Sequence, residues 1–101
     1  MIKEYFSDFS GFQWDSGNLD KNRLKHEVEA FEAEQMFFND PLIVIPDEKH
    51  SIQETRYAAF GKTNDGRKLT IVFTHRNQLI RIISARDMNK KERHYYETYK
   101  N

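Results

Sequence analysis

The sequence predicts an α+β domain: an antiparallel sheet of about four strands, with two helices ahead of it in the chain and one after it. Three observations carry this. Residues 56–84 alternate apolar and polar side chains in runs separated by short polar turns, residues 29–38 place apolar side chains at the helical period, and a capping signature at Asn89 opens a last helix behind the last strand. Helices and strands that stay separate in sequence fit helices gathered on one side of an antiparallel sheet.

Taken in order, Phe12-Gln13-Trp14 is an aromatic stretch suited to a short N-terminal edge strand, and Asp15 or Ser16 suits the cap of the helix that follows. That helix should run from about Gly17 to His26; its apolar content is thin, so it is expected on the surface with Leu24 as its anchor. From Glu29 to Phe38 a second helix has Ala30, Phe31, Ala33, Phe37 and Phe38 as its apolar stripe, and Asn39-Asp40-Pro41 stops it, because the residue before proline is driven out of the helical region. Leu42 to Ile45 is a short apolar strand closed by Pro46, and residues 47–51 read as a polar loop.

Arg56, Ala58 and Phe60 then alternate with Tyr57, Ala59 and Gly61, and Thr63-Asn64-Asp65-Gly66 is a hairpin turn with glycine where positive φ is needed. Leu69, Ile71 and Phe73 share one face of the next strand, His75-Arg76-Asn77 reads as a turn, and residues 78–84 complete the meander. Asn89 caps the final helix while Glu92 reaches back, and Glu92, Tyr95 and Tyr99 share one helical face.

With 101 residues and 38% apolar content the chain supports one core, so residues 1–101 are expected to be a single domain. Its formal charge is zero, yet residues 1–66 hold 7 Lys and Arg against 13 Asp and Glu, a net of −6, while residues 67–101 hold 9 against 3, a net of +6. That asymmetry suits an anionic partner for the C-terminal part, or an acidic half folded against a basic one. The absence of cysteine excludes disulfides, thiolate nucleophiles and thiolate metal sites. Charged residues interrupt the first eight positions and no apolar run approaches the ~18 residues of a membrane span, so a soluble cytoplasmic protein is expected. His26, His50, His75 and His94 lie 24, 25 and 19 residues apart, which is no metal-ligand spacing, and the glycines are too scattered for a phosphate loop. No metal and no cofactor are expected.

What remains is a set of arginines. Arg56 on one strand, Arg81 in the middle of another and Arg86 at its exit place permanent charge on a rigid sheet, where each suits either phosphate or an ion pair with a residue such as Glu54 or Glu92. Trp14 suits the core or a platform for base stacking. Of Tyr95, Tyr96 and Tyr99 at least one must face the sheet, and His26 after Lys25 suits a helix C-terminus as well as catalysis.

The combination Phe12-x-Trp14-Asp15, Asn22-x-x-Lys25-His26, Phe31, Phe38-x-Asp40-Pro41, Asp47-x-x-His50-x-x-x-Glu54-x-Arg56, Gly61 and Arg81-Ile82-Ile83-Ser84-Ala85-Arg86, with Glu92 and Tyr96, resembles the BrnT family of bacterial toxins. The resemblance covers about residues 12 to 99 and leaves residues 1–11 as a variable extension. It implies a fold similar to the RelE-type ribonuclease toxins and a metal-independent endoribonuclease in which the ribose 2′-hydroxyl attacks the adjacent phosphate. It also implies neutralisation by a BrnA-type antitoxin with a ribbon-helix-helix part, so that DNA is met only through the antitoxin complex. Arg81 and Arg86, with Arg56 as a third donor, are then the candidates for phosphoryl charge; Glu54, Lys25, His26 and Tyr96 are the open set for acid and base; and Trp14, Lys90, Lys91 and Arg93 are candidates for RNA binding.

Two positions depart from the family pattern: Glu27 stands where glycine is common, and Asp87-Met88 where small residues are usual. A carboxylate at Asp87 is expected to engage Arg86. The alternative function is a non-catalytic module, either nucleic-acid-binding or an antitoxin-binding corepressor.

Overall fold

The computed structural model describes residues 9–48 and 54–99, so most of the polar loop expected at 47–51, His50 included, lies outside the described residues. The elements run β1 (Gly11–Gln13), α1 (Ser16–His26), α2 (Ala30–Met36), β2 (Ile43–Pro46), β3 (Tyr57–Lys62), β4 (Lys68–Arg76), β5 (Leu79–Asp87) and α3 (Lys90–Thr98). They build one five-stranded sheet in the order β1-β5-β4-β3-β2. The expected antiparallel sheet of about four strands is thus a mixed sheet of five, because the aromatic edge strand docks parallel to the start of β5, with Phe12 opposite Ile80. Phe12 holds it there by packing its ring against Phe37 and Phe38.

Both faces of the sheet are apolar where β2 and β3 run, so the helices do not gather on one side. Leu42, Ala59, Leu69, Ile71, Phe73, Ile80 and Ile82 point to the face covered by α2, where Ala33, Met36 and Phe37 complete the main core. The alternate residues Ile43 and Phe60 point the other way and are covered by Met88 and by Tyr96 of α3. The apolar stripe of α2 is also narrower than its sequence suggests: Phe31 is 61% exposed. Gly61 lets α2 close on the sheet, since a Cβ there would meet Met36 at 3.3 Å and Leu42 at 3.4 Å.

Helix α1 follows β1 directly and runs beside the part of β5 that β1 does not pair. Its anchor is not Leu24, which is 79% exposed, but Asn22, which is buried. The Asn22 Oδ1 accepts the backbone N–H of Ala85 at 3.1 Å, so a polar side chain satisfies a strand edge that would otherwise be open.

The end of α1 is held by Arg67, whose guanidinium reaches four groups. Its Nε and Nη2 donate to the two oxygens of Asp87 at 2.7 and 3.1 Å. Nη1 donates to the Glu27 carbonyl at 2.8 Å and to Glu32, and Nη2 donates to the His26 carbonyl at 3.2 Å. One side chain from the β3–β4 turn therefore joins the C-terminus of α1, the first turn of α2 and the exit of β5. The expected engagement of Arg86 by Asp87 is not what forms: the Asp87 carboxylate is taken by Arg67, and that hydrogen bond holds its carboxyl below the usual carboxylate range.

Glu27 occupies the left-handed region at φ 56°, directly after α1. An L side chain there costs about 1–2 kcal/mol, which explains why glycine suits this place. Glu27→Gly should raise stability by about 0.5–1 kcal/mol, the relief of strain less the added freedom of the unfolded chain, because the carbonyl that Arg67 binds is retained. Chemical denaturation of the two proteins checks this.

Candidate active site

Arg81 and Arg86 are five residues apart, and in a regular strand an odd separation puts side chains on opposite faces. The register prevents this. Val72 pairs with Ser84 and Phe73 with Ile82, so β5 carries one extra residue, Ile83, at a bulge. Ile80, Ile82 and Ala85 all stay in the main core, and Arg81 and Arg86 both emerge on the opposite face, beside Thr74 and Thr70 of β4.

That face has two ends. At the Arg86 end, α3 folds back over the sheet, and Arg86 makes a paired ion bridge with Glu92, Nη1 to Oε1 at 2.8 Å and Nη2 to Oε2 at 2.9 Å. Glu92 also accepts from the Thr70 hydroxyl and from the Asn89 backbone, completing the capping box anticipated from the sequence. The Arg86 guanidinium, then the Asn89 and Thr70 hydrogen bonds, bring the Glu92 carboxyl down to about 2 against burial. At the other end the face is open. A shallow cavity of about 210 Å³ is lined by Asp47, Arg56, Val72, Ile83 and Ser84.

Arg81 does not line this cavity; it stands on the same face opposite Thr74, with its Nη2 donating to Asp15 at 2.5 Å. Asp15 stands at the start of α1, where its carbonyl accepts from the Leu19 N–H, so the helix start and the arginine are fixed together. Glu54 faces two more guanidiniums: Oε1 accepts from Arg76 at 2.9 Å and Oε2 is 3.9 Å from Arg56. The Arg76 hydrogen bond, with the charges of Arg76, Arg56 and Arg81, holds the Glu54 carboxyl below its ordinary range although burial opposes it.

The residues singled out from sequence therefore divide. Arg81, Arg56 and Glu54 stand together at one end of the face, while Arg86 is level with Thr70, four β4 residues from the Thr74 that pairs with Arg81, or about 13 Å at the usual rise, and is held there by Glu92. Lys25 and His26 close α1 beside Arg67 and Asp87, at the far end of β5 from Arg81. Tyr96 is buried; its hydroxyl donates to the Pro41 carbonyl at 2.6 Å, and burial with the nearby Asp40 charge pushes it up to about 12. Trp14 is half-buried on the α2 side of the sheet, away from Arg81, with its indole N–H on Glu34 at 2.8 Å. Lys90 and Lys91 are exposed on α3, and Arg93 donates to the Met88 carbonyl.

Asp15 and Arg76 were not evident as site residues. Asn77 and Gln78 both take positive φ, so the turn is the two-residue pair 77–78 and β4 extends through Arg76. Asn at the first such position is the sequence signal for that shorter turn. Among the described residues no group of three or more His, Asp and Glu side chains is placed to hold a metal ion, and no helix is long and apolar enough to cross a membrane.

A model of the family described as ribonuclease toxin, BrnT, of type II toxin-antitoxin system matches residues 14–92. The chain is similar to the crystal structure of the Brucella abortus ribonuclease toxin BrnT, with 21% sequence identity, coverage of 79% of this chain and 97% of that one, and a TM-score of 0.63. At that identity the likeness shows the fold. No curated protein matches the sequence.

Glu92→Gln should weaken the closure of α3 over the sheet by about 1–3 kcal/mol at neutral pH, since it leaves Arg86 without its paired carboxylate. The wild-type contribution is complete above the ordinary carboxylate range and is lost as pH falls toward 2, because the folded value is the depressed one. Stability measured between pH 7 and pH 2 should accordingly fall less steeply in the variant.

Proposed function

The chain belongs to the BrnT family of ribonuclease toxins of type II toxin–antitoxin systems, and we propose that it is a metal-independent endoribonuclease whose cleavage site is the open end of the sheet around Arg81. Membership in the family implies an RNA substrate and an antitoxin partner. The observation that carries the proposal is Arg81 itself, fixed on the face of a strongly apolar strand by Asp15, with Arg56, Glu54 and Arg76 around the same opening.

In the proposed reaction the ribose 2′-hydroxyl attacks the adjacent phosphorus and leaves a 2′,3′-cyclic phosphate and a 5′-hydroxyl. Negative charge grows on the phosphoryl oxygens, and guanidinium donors already in place lower the barrier without reorganising. Arg81 is the main donor and Arg56 a second. Arg86, held by Glu92, serves a nucleotide further along the strand or the closure of α3. Lys90, Lys91 and Arg93 extend positive charge away from the opening, and a base stacking on the exposed edge of Trp14 would mark a strand that passes around the β1 edge.

The partner we infer is an antitoxin of the BrnA type, with DNA contacted only through it, in the cytoplasm; kinship with the RelE-type toxins is part of the same reading. An acidic antitoxin segment over α3 meets Lys90 and Lys91 by complementary charge, which the salt dependence of association reports. The rival reading, a non-catalytic corepressor, draws on the carboxylates that already occupy Arg81 and Arg86.

Incubation of antitoxin-free protein with RNA in excess chelator separates the two. Arg81→Lys keeps the ion pair with Asp15 and loses the planar fork, so cleavage should fall by about 10²-fold while the unfolding midpoint is retained. Undiminished cleavage in that variant contradicts the role of Arg81, and RNA binding without cleavage by the wild type supports the corepressor.

A further inference from the structure

We propose that Glu54 is the general base of this cleavage and that Arg76 is its positioning residue, an inference that rests on the reading of the open end as the cleavage site. Of the four residues singled out from the sequence for acid–base work, Glu54 alone stands near Arg81 and Arg56. Tyr96 is occupied by Pro41 inside the second core, and Lys25 and His26 lie at the opposite end of β5.

The arrangement of Glu54 is specific. Its two carboxylate oxygens face guanidiniums from two different segments, Arg76 at the end of β4 and Arg56 just before β3. The side chain stays 26% exposed, so it is accessible to a ligand. Among the described residues, the charged groups that face Glu54 are Arg76, Arg56 and, at longer range, Arg81. Arg76 makes the shorter contact, 2.9 Å against 3.9 Å, and it sits at the last position of β4 before the two-residue turn, where the hairpin geometry fixes its backbone.

In the step assigned to it, the ionised Glu54 accepts the proton of the 2′-hydroxyl as the 2′-oxygen bonds to phosphorus. The bond from phosphorus to the 5′-oxygen breaks, that oxygen takes a proton from solvent, and Glu54 returns its proton to solvent after release. Arg76 touches neither reacting oxygen. It keeps Glu54 ionised and aims one of its oxygens, while Arg56 and Arg81 serve the phosphate.

The test is the pH profile of kcat/KM for a short RNA with wild-type protein, Glu54→Gln, Arg76→Ala and Arg76→Lys. Glu54→Gln should lose about 10²-fold or more in kcat while still binding a 2′-O-methyl RNA. The rate needs the ionised carboxylate, so in Arg76→Ala the acidic limb should move to higher pH, with a larger loss at pH 5 than at pH 8 and little change in KM; Arg76→Lys should restore part of the shift. A uniform loss at every pH together with a lowered unfolding midpoint assigns Arg76 to the hairpin alone and overturns the inference. A raised KM with an unmoved limb makes Arg76 an RNA contact and overturns it equally. Absence of cleavage by the wild type defeats the proposed function as well, whereas wild-type cleavage with a profile unmoved by Arg76→Ala defeats this inference alone.

Discussion

One extra residue in β5 governs how this protein presents its charge. Without the bulge at Ile83, Ala85 would leave the core on which Ile80 and Ile82 also depend, and Arg86 would emerge on the α2 side, among buried apolar residues. With it, both arginines share the face that α3 covers only in part. The bulge also increases local twist, as bulges do, and separates the end where Arg86 and Glu92 tie α3 to the sheet from the end where Arg81 is held from the side by Asp15. The two arginines of the same strand are thus held by different helices, Arg81 at the start of α1 and Arg86 by α3.

The charge asymmetry of the sequence has a structural counterpart. Several of the C-terminal arginines find carboxylates in the acidic N-terminal part: Arg67 with Glu32, Arg76 with Glu54 and Arg81 with Asp15. An acidic half folded against a basic one therefore describes much of the distribution. What is left for an anionic partner is concentrated on α3, in Lys90 and Lys91, because Lys68 pairs with Glu97 and Arg86 with Glu92 inside the C-terminal part. Under the proposed function a phosphate at the open end would compete with Asp15 for Arg81.

The sheet was legible where alternation is strict. Leu69, Ile71 and Phe73, and Tyr57 with Ala59, face the main core as their spacing requires, and the Asn89–Glu92 capping box starts α3 where it should. Three features were not legible for identifiable reasons. A bulge needs a partner strand to define it, so the shared face of Arg81 and Arg86 does not follow from period-two counting. Asn22 is polar, and its burial as a strand-edge acceptor contradicts any stripe drawn from apolar residues alone. Arg67 lies in a turn, where a charged side chain is ordinary, and its four partner groups come from three segments distant in sequence. Arg81 and Arg86 were visible as charges on a strongly apolar strand; what sequence could not supply was their partition between two ends of one face.

The most direct test of the open end as the RNA site is to follow the arginine side-chain Nε–H signals by NMR while titrating a 2′-O-methyl RNA that binds without being cleaved. The expected result is a shift of the Arg81 and Arg56 signals that saturates with RNA binding, with Arg67, fully engaged by Asp87, Glu32 and the end of α1, unmoved. Shifts confined to other arginines, with Arg81 and Arg56 unchanged at saturation, would contradict it.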